Sequence, residues 1–222
     1  MPEMELLVGP RSKSDGDTTK GRAGYYGELL DGSINGFFAE QVARGNGYSF
    51  STALAGNALV AATTSNAPAI WNPPESGRVL YLQCVKYGRT AKGTPLEGSI
   101  VYNRLQNVRS FGATGNDIVS GTAVAALNLR SDKGDDSKML FYPTTIVTTA
   151  TPVLWAEAGV AQTAEGGAAA VVGPHAESIN DWIWGMLQLW PSTLLSLGAA
   201  VALSTTYGIT IFALSLPIPK QP

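Results

Sequence analysis

The sequence predicts a mainly β protein: an antiparallel β-sandwich of jelly-roll type, preceded by an N-terminal arm and one short amphipathic helix. Three observations indicate this class. From residue 48 onward, short apolar and β-branched runs are separated by Gly, Pro, Asn and Ser. No capped helical pattern lies between these runs, so a parallel βαβ sheet has no support. The 222 residues suffice for one sizeable core but are short for two full domains. We therefore expect the arm and helix over residues 1–47 and the jelly-roll-like sandwich over residues 48–222.

The arm and helix are predicted from the first 47 residues. The first thirty carry many of the charges and no hydrophobic period, which is typical of a flexible arm. Residues 33–44 predict a helix with one apolar face, because four apolar residues recur at helical spacing: Ile34, Phe37, Phe38 and Val42. Asp31 or Ser33 could cap it, and Gly45 could end it. The helix either packs on its own domain or docks on a neighbouring subunit.

The strands of the sandwich are predicted from period-two patterns and turn residues. We expect strands over residues 48–55, 58–63, 69–71, 79–87, 99–105, 123–129, 138–141, 153–161, 179–187, 193–197 and 208–216. The clearest is 79–87, in which Val79, Val85 and Tyr87 would share one face and Leu82 and Cys84 the other. Apolar residues on both faces predict a central strand that is covered on both sides.

Three further segments need an interpretation. Residues 107–121 and 161–173 are rich in small residues and predict long loops without strong structure of their own. Residues 193–216 are apolar enough to raise the question of a membrane span. Gly198, a polar run at 204–208 and Pro217 interrupt this stretch, and it has no flanking cluster of basic residues. Two buried strands joined by a turn explain it better.

Composition and charge restrict the class of partner. Charged residues make up only 14% of the chain, so much of the surface is neutral and suited to being covered by partners. The net charge of -2 supplies no basic field for phosphates, which argues against nucleic acid as a ligand. Cys84 is the single cysteine and is expected to be a small buried apolar group. The N-terminus carries acids where a secretory signal would carry bases.

No motif for catalysis or cofactor binding is found. The chain lacks a phosphate-binding glycine loop and a nucleophile elbow. His175, the sole histidine, lies in a turn-like context beside Glu177, with no further metal ligand at readable spacing. The acidic run 131–137 lacks the ligand pattern of a calcium loop and predicts a solvated hairpin turn. The acids that a glycosidase could pair are scattered: Glu40, Glu75, Glu97, Glu157 and Glu165. We expect no enzyme activity, no cofactor, and no catalytic, cofactor-binding or metal-binding residue.

The tryptophans allow two interpretations. All five could line a carbohydrate platform: Trp71, Trp155, Trp182, Trp184 and Trp190. Trp182 and Trp184 fall at period two and would share one strand face. Buried packing inside the sandwich explains this spacing as well, and it is the interpretation that we prefer.

One run carries a resemblance to a known class of protein. Residues 69–82 read Ala-Ile-Trp-Asn-Pro-Pro-Glu-Ser-Gly-Arg-Val-Leu-Tyr-Leu: an apolar strand ends in Asn-Pro, Ser-Gly turns the chain, and a basic residue opens the next strand. Residues 40–51 give a similar helix-then-strand entry, and the chain closes on an alternating strand that ends in Leu216 and Pro217. This pattern resembles virion proteins of tailed bacteriophages. The sequence departs from it in its charged arm and in its doubled proline.

The resemblance implies a function by assembly. We expect a structural virion protein that self-associates, as a trimer, and decorates or cements the capsid after assembly in the host cytoplasm. Its partners would be copies of itself and the major capsid protein or tail and fibre proteins, with no nucleic acid and no membrane. The alternative is a tail or fibre adaptor, or a receptor- or glycan-binding module on the same fold. Exposure of Trp182 and Trp184 would favour the glycan-binding module.

Overall fold

The fold is mainly β, with one short α-helix, in a computed structural model that describes residues 7–8, 22–23, 34–53, 56–66, 68–91, 97–109, 116–134, 137–162, 178–200 and 206–218. The helix α1 spans Ile34–Ala43, and a single 3₁₀ turn spans Pro74–Ser76. The strands are β1 Leu7–Val8, β2 Arg22–Ala23, β3 Gly47–Ser51, β4 Asn57–Ala58, β5 Ser65–Asn66, β6 Ala69–Asn72, β7 Arg78–Ala91, β8 Glu97–Gln106, β9 Ile118–Ser120, β10 Leu127–Asn128, β11 Leu140–Tyr142, β12 Ile146–Thr148, β13 Val153–Gln162, β14 Ser178–Trp182, β15 Gln188–Leu189, β16 Thr193–Ala199 and β17 Thr206–Pro217.

Eight of these strands form a jelly roll. In the seven-stranded sheet the order is β10-β3-β17-β7-β14, with β4 and β15 at its margins, and in the five-stranded sheet it is β11-β6-β16-β8-β13. The antiparallel pairs are nested along the chain: β3 with β17, β6 with β16, β7 with β14, and β8 with β13. This nesting is a long hairpin rolled into two sheets, which is the connectivity of a jelly roll. The predicted fold class is confirmed.

The main core lies between these two sheets. Its largest fully buried side chains include Phe50, Tyr87, Tyr102 and Phe141, and the rings of Phe50 and Phe141 meet edge to face at 5.8 Å. A second apolar cluster lies on the other face of the five-stranded sheet, where a three-stranded sheet of β5, β12 and β9 covers it. The described part of the chain is thus built in three layers, with cores on both faces of the middle sheet.

Strand β7 is central, as predicted, but its faces are not those that strict alternation predicts. Leu82 pairs with Ala213 and Cys84 pairs with Phe212, so Gln83 has no opposite residue on β17. Because of this bulge, the alternation of inward and outward side chains shifts by one residue after Gln83. As a result, Val85 and Tyr87 lie in the same core as Leu80 and Leu82. The predicted grouping of Val85 and Tyr87 against Leu82 is therefore wrong, because one extra residue changes the parity of every residue that follows.

The helix packs on its own domain. It contacts β3 and β17, and a side chain at Gly47 would meet Val42 of the helix. Gly45 ends the helix with φ of 81°, and the amides of Gly45 and Asn46 donate to the carbonyls of Val42 and Gln41. These two bonds form a Schellman motif, which explains why the helix ends at the predicted glycine.

Several predicted segments differ from the structure in extent. The run 58–63 contains strand only at Ala58, and 123–129 contains β10 and a single bridge at Val124. The predicted loop 107–121 contains β9. The apolar stretch 193–216 forms β16 and β17, which lie in different sheets. No helix in the described ranges is long and apolar enough to cross a bilayer. Apart from β1 and β2, the predicted arm lies outside the described residues, as does most of the predicted loop 161–173.

Candidate contact surface

The most distinctive local geometry is an irregular stretch at the edge of the seven-stranded sheet. Strand β14 pairs with β7 as far as Trp182, and β15 resumes the pairing at Gln188. The five residues between them, 183–187, form a bulge, which we call the tryptophan bulge. It is held by backbone hydrogen bonds: the amides of Ile183 and Trp184 donate to the carbonyl of Gln83 at 2.8 and 3.1 Å. Bulges at sheet edges redirect side chains, and this one redirects Trp184.

The bulge brings two tryptophan rings together on the surface. Trp184 has φ of 53°, which is a strained conformation for a bulky side chain. The next residue, Gly185, has φ of 76°, which glycine adopts without strain. The rings of Trp182 and Trp184 stack with their centroids 4.9 Å apart and their planes 18° apart. Even so, Trp182 is 52% exposed and Trp184 is 39% exposed. The pair forms a preorganised aromatic slab with one ring packed on the other.

The slab stands on the outer face of the seven-stranded sheet. Trp182 is opposite Cys84 in the ladder, and Cys84 is opposite Phe212, so the three residues form one row on the same face. The next row contains Thr210, flanked by Ser51 and Lys86. Ser51 and Lys86 are exposed, and the Lys86 ammonium lies 5.4 Å from the centre of the Phe212 ring. We give the name outer-face platform to six side chains on this face: Trp182, Trp184, Phe212, Thr210, Lys86 and Ser51.

The nearest carboxylate points the other way. Asp181 directly precedes Trp182 in the sequence, and its Oδ2 accepts a hydrogen bond of 2.7 Å from the Tyr102 hydroxyl, inside the sandwich. Burial, together with the neighbouring Tyr87 and Asp181, raises the pKa of Tyr102, so this hydroxyl keeps its proton and remains a donor. Among the described side chains that form the outer-face platform, the only formal charge is therefore the ammonium of Lys86.

Cys84 lies beneath the platform. It is a free thiol and 1% exposed, as predicted for a small buried apolar group. Burial raises its pKa, with the ammonium of Lys86 acting in the opposite direction. The thiol therefore fills space between Trp182 and Phe212, and its accessibility reports on whether the row is intact.

A second exposed apolar feature lies at the edge of the five-stranded sheet. Val153 and Leu154, the first two residues of β13, are 63% and 60% exposed. No strand in the described ranges pairs with the outer edge of β13. The edge strands β9 and β10 of the other two sheets also expose an aliphatic residue each, Val119 and Leu127. The seven-, five- and three-stranded sheets therefore each present exposed aliphatic side chains at an edge.

The tryptophans divide between the two interpretations. Trp71 is buried and its indole Nε1 donates to the carbonyl of Val108 at 3.2 Å, and Trp155 is partly buried beneath the guanidinium of Arg104. For these two, the packing interpretation is confirmed. For Trp182 and Trp184, and for the exposed Trp190, it is wrong. The sequence signal for exposure is Gly185 directly after Trp184, because a glycine at positive φ breaks the strand that period two assumes.

The residues considered for catalysis or metal binding do not form a site in the described part of the chain. His175, Glu177 and Glu165 lie outside the described residues. Glu40 is buried in an ion pair, where it accepts a hydrogen bond of 2.9 Å from Arg44 Nε. In the acidic run 131–137, the exposed Asp132 pairs with Arg130, which agrees with a solvated turn. Within the described ranges, no group of three or more His, Cys, Asp and Glu side chains could hold a metal ion.

Neither protein-family models, nor curated proteins, nor solved structures give a match.

Proposed function

We propose that this chain is a non-enzymatic structural protein of a bacteriophage particle, which self-associates as a trimer and decorates or cements the capsid. Its mechanism is burial of neutral surface between copies and against the capsid. The jelly roll is compatible with this role, because viral capsid domains use the same fold. The fold alone does not decide function, so the proposal depends on a particular feature of the surface.

That feature is the pair of exposed aliphatic side chains at the start of β13. Val153 and Leu154 are consecutive in a strand, so they point to opposite faces of the sheet. An edge strand that is apolar on both faces is best covered by another chain, which either wraps around the edge or pairs with it. Charge does little to prevent such pairing, because Glu157 is the only charged residue among the ten of β13.

The free energy gained by burying each of these side chains is modest, and an assembly of several copies gains it at every interface. Fully burying a valine or leucine side chain stabilises by about 1.5–3 kcal/mol, so the part still exposed on Val153 and Leu154 is worth about 1–2 kcal/mol each. Specific interfaces bury on the order of 1,200–2,000 Å² in total. The exposed Val119 and Leu127 on other sheet edges provide further apolar area, and the low charge limits the desolvation cost.

The solution mass of the purified chain tests self-association. Light scattering behind a sizing column should give about three times the chain mass of 23.2 kDa. Leu154→Lys should dissociate the assembly, because it places an ammonium at the buried edge. Thr151→Lys adds the same charge at an exposed position three residues earlier and should leave the mass unchanged. A wild-type monomer at every concentration, or an unaffected Leu154→Lys, contradicts the assembly mechanism.

The position in a virion is tested on particles. Purified particles from an infected host culture are labelled with an antibody against this chain and viewed by electron microscopy. Label over the head supports capsid decoration. Label confined to the tail contradicts decoration in favour of the tail or fibre adaptor, and particles without label contradict a virion role.

A further inference from the structure

We propose that the outer-face platform binds a saccharide that carries a carboxylate group, with a sugar ring stacked on the Trp182–Trp184 slab. The platform lies on one sheet face, where Trp182, Trp184 and Lys86 are exposed, and it is separate from the β13 edge on which the assembly proposal depends. It would give the protein a recognition function in addition to assembly.

The slab has the geometry of a stacking surface. Because Trp184 already covers one side of Trp182, the pair is held in place before any ligand arrives. The backbone bonds of Ile183 and Trp184 to Gln83, and the burial of Ile183 at 4% exposure, fix the bulge beneath it. Preorganisation of this kind lowers the entropy lost on binding. The positive φ of Trp184 is a strained conformation, and such strain is concentrated at binding and catalytic positions.

The side chains around the slab favour a polyol over an apolar partner. Ser51 and Thr210 present hydroxyls on the same face, with Ser51 Oγ 3.1 Å from Thr210 Oγ1. Phe212 adds a half-buried ring two strands away from Trp182, about 10 Å by the spacing of neighbouring strands. Two aromatic surfaces at that separation, with the hydroxyls of Thr210 and Ser51 in the next row beside Phe212, suit a chain of sugar rings that have alternating apolar faces and hydroxyl edges. An amphipathic helix would need a continuous apolar stripe instead.

The charge of the platform selects the class of saccharide. Lys86 is exposed on this face, and Asp181 is turned inward onto Tyr102. One ammonium among hydroxyls and aromatic rings complements one carboxylate of the bound saccharide, as a single uronic or sialic acid residue of a chain provides. A polyphosphate such as nucleic acid needs a cluster of cations, which a net charge of -2 does not provide.

Tryptophan fluorescence on the full chain tests the proposal, with hexagalacturonate as the acidic probe and cellohexaose as its neutral counterpart. Hexagalacturonate should quench or shift the emission in a saturable way, and raising the salt concentration should weaken binding because exposed charges are screened. Trp182→Ala and Trp184→Ala should each weaken binding about tenfold. Lys86→Gln should weaken it several-fold and remove most of the salt dependence.

Trp190→Ala is the matched control, because Trp190 is 47% exposed but lies outside the bulge. It should bind like the wild type. Binding of neither sugar overturns the site, and equal loss in Trp190→Ala overturns the role of the slab. Binding of cellohexaose alone, unchanged in Lys86→Gln, overturns the assignment of a carboxylate. All four side chains to be replaced are exposed, and circular dichroism checks that each variant keeps its fold. The mass of the assembly should be unchanged in every variant, which separates this result from the assembly test.

Discussion

The backbone amide of Trp184 donates to the carbonyl oxygen of Gln83 at 3.1 Å, so an irregularity in the edge of the sheet is joined to an irregularity in its centre. Gln83 is the residue of β7 that has no opposite on β17. Its carbonyl also accepts the amide of Ile183 at 2.8 Å. The bulge in the central strand thus supplies the acceptor that holds the tryptophan bulge. The exposed positions of Trp182 and Trp184 therefore depend on the hydrogen bonding of the sheet itself.

Gly185 should be essential to the tryptophan bulge. Its φ of 76° is poorly accessible to an L side chain, and an added Cβ would lie 3.2 Å from Gln83 Nε2. We expect Gly185→Ala to lower the free energy of unfolding in urea by about 1–2 kcal/mol. Gly134→Ala is the control, because a Cβ there meets no atom of the described residues within 4 Å, and it should change stability by no more than about 0.5 kcal/mol. Equal stability of Gly185→Ala and wild type would show that the bulge adapts.

The hydrogen bond from Tyr102 to Asp181 should stabilise the contact between the two sheets. Tyr102→Phe removes the donor and leaves the Asp181 carboxylate without it, so we expect a loss of about 1–2 kcal/mol in the free energy of unfolding. Tyr142→Phe is the matched control, because the buried Tyr142 hydroxyl has no hydrogen-bond partner among the described residues. That variant should be neutral or slightly stabilised. The reverse order of the two variants in urea denaturation would contradict this assignment.

Stability should fall at high pH because of buried tyrosines. Burial raises the pKa of Tyr142 to about 12 from its ordinary value of 10.0. Between these values the unfolded chain releases the proton while the folded chain keeps it, so the free energy of unfolding decreases as the pH rises. The loss should approach about 1.4 kcal/mol per pH unit for each such tyrosine. Burial raises the pKa of Tyr87 and Tyr102 as well, and they act in the same direction.

Tyr142→Phe provides the control for this pH dependence. Urea denaturation at a series of pH values above about pH 9 should give a shallower decline for the variant than for the wild type. An identical slope in both proteins would mean that Tyr142 titrates normally in the folded state.

Cys84 should be protected by the row of side chains around it. It is buried with a raised pKa, so an aromatic disulfide reagent should react with the native protein far more slowly than with the unfolded chain. Trp182 is opposite Cys84 in the ladder, and we expect Trp182→Ala to speed the reaction several-fold. Trp190→Ala should leave the rate unchanged. Fast labelling of the wild-type protein would contradict the close packing of this row.

The strands that the sequence predicts well are those whose pattern is local. Strands β7, β13, β16 and β17 were expected from apolar runs bounded by turn residues, and α1 from its spacing and from Gly45. The three-stranded sheet of β5, β12 and β9 was missed, because each of its strands is only two or three residues long and is stabilised by non-local pairing.

The sequence by itself determined the class of fold, the position of the main strands, the end of the helix and the burial of Cys84, since each follows from local pattern, turn chemistry or the size of one side chain. Only the tertiary structure decided which residues face outward around the two bulges. A bulge at Gln83 reverses the parity of β7, and the bulge after Trp182 changes the direction of Trp184. A period-two pattern does not reveal an inserted residue. Gly185 marks the end of the regular strand, but the stacking of Trp182 on Trp184 could be found only from the tertiary structure.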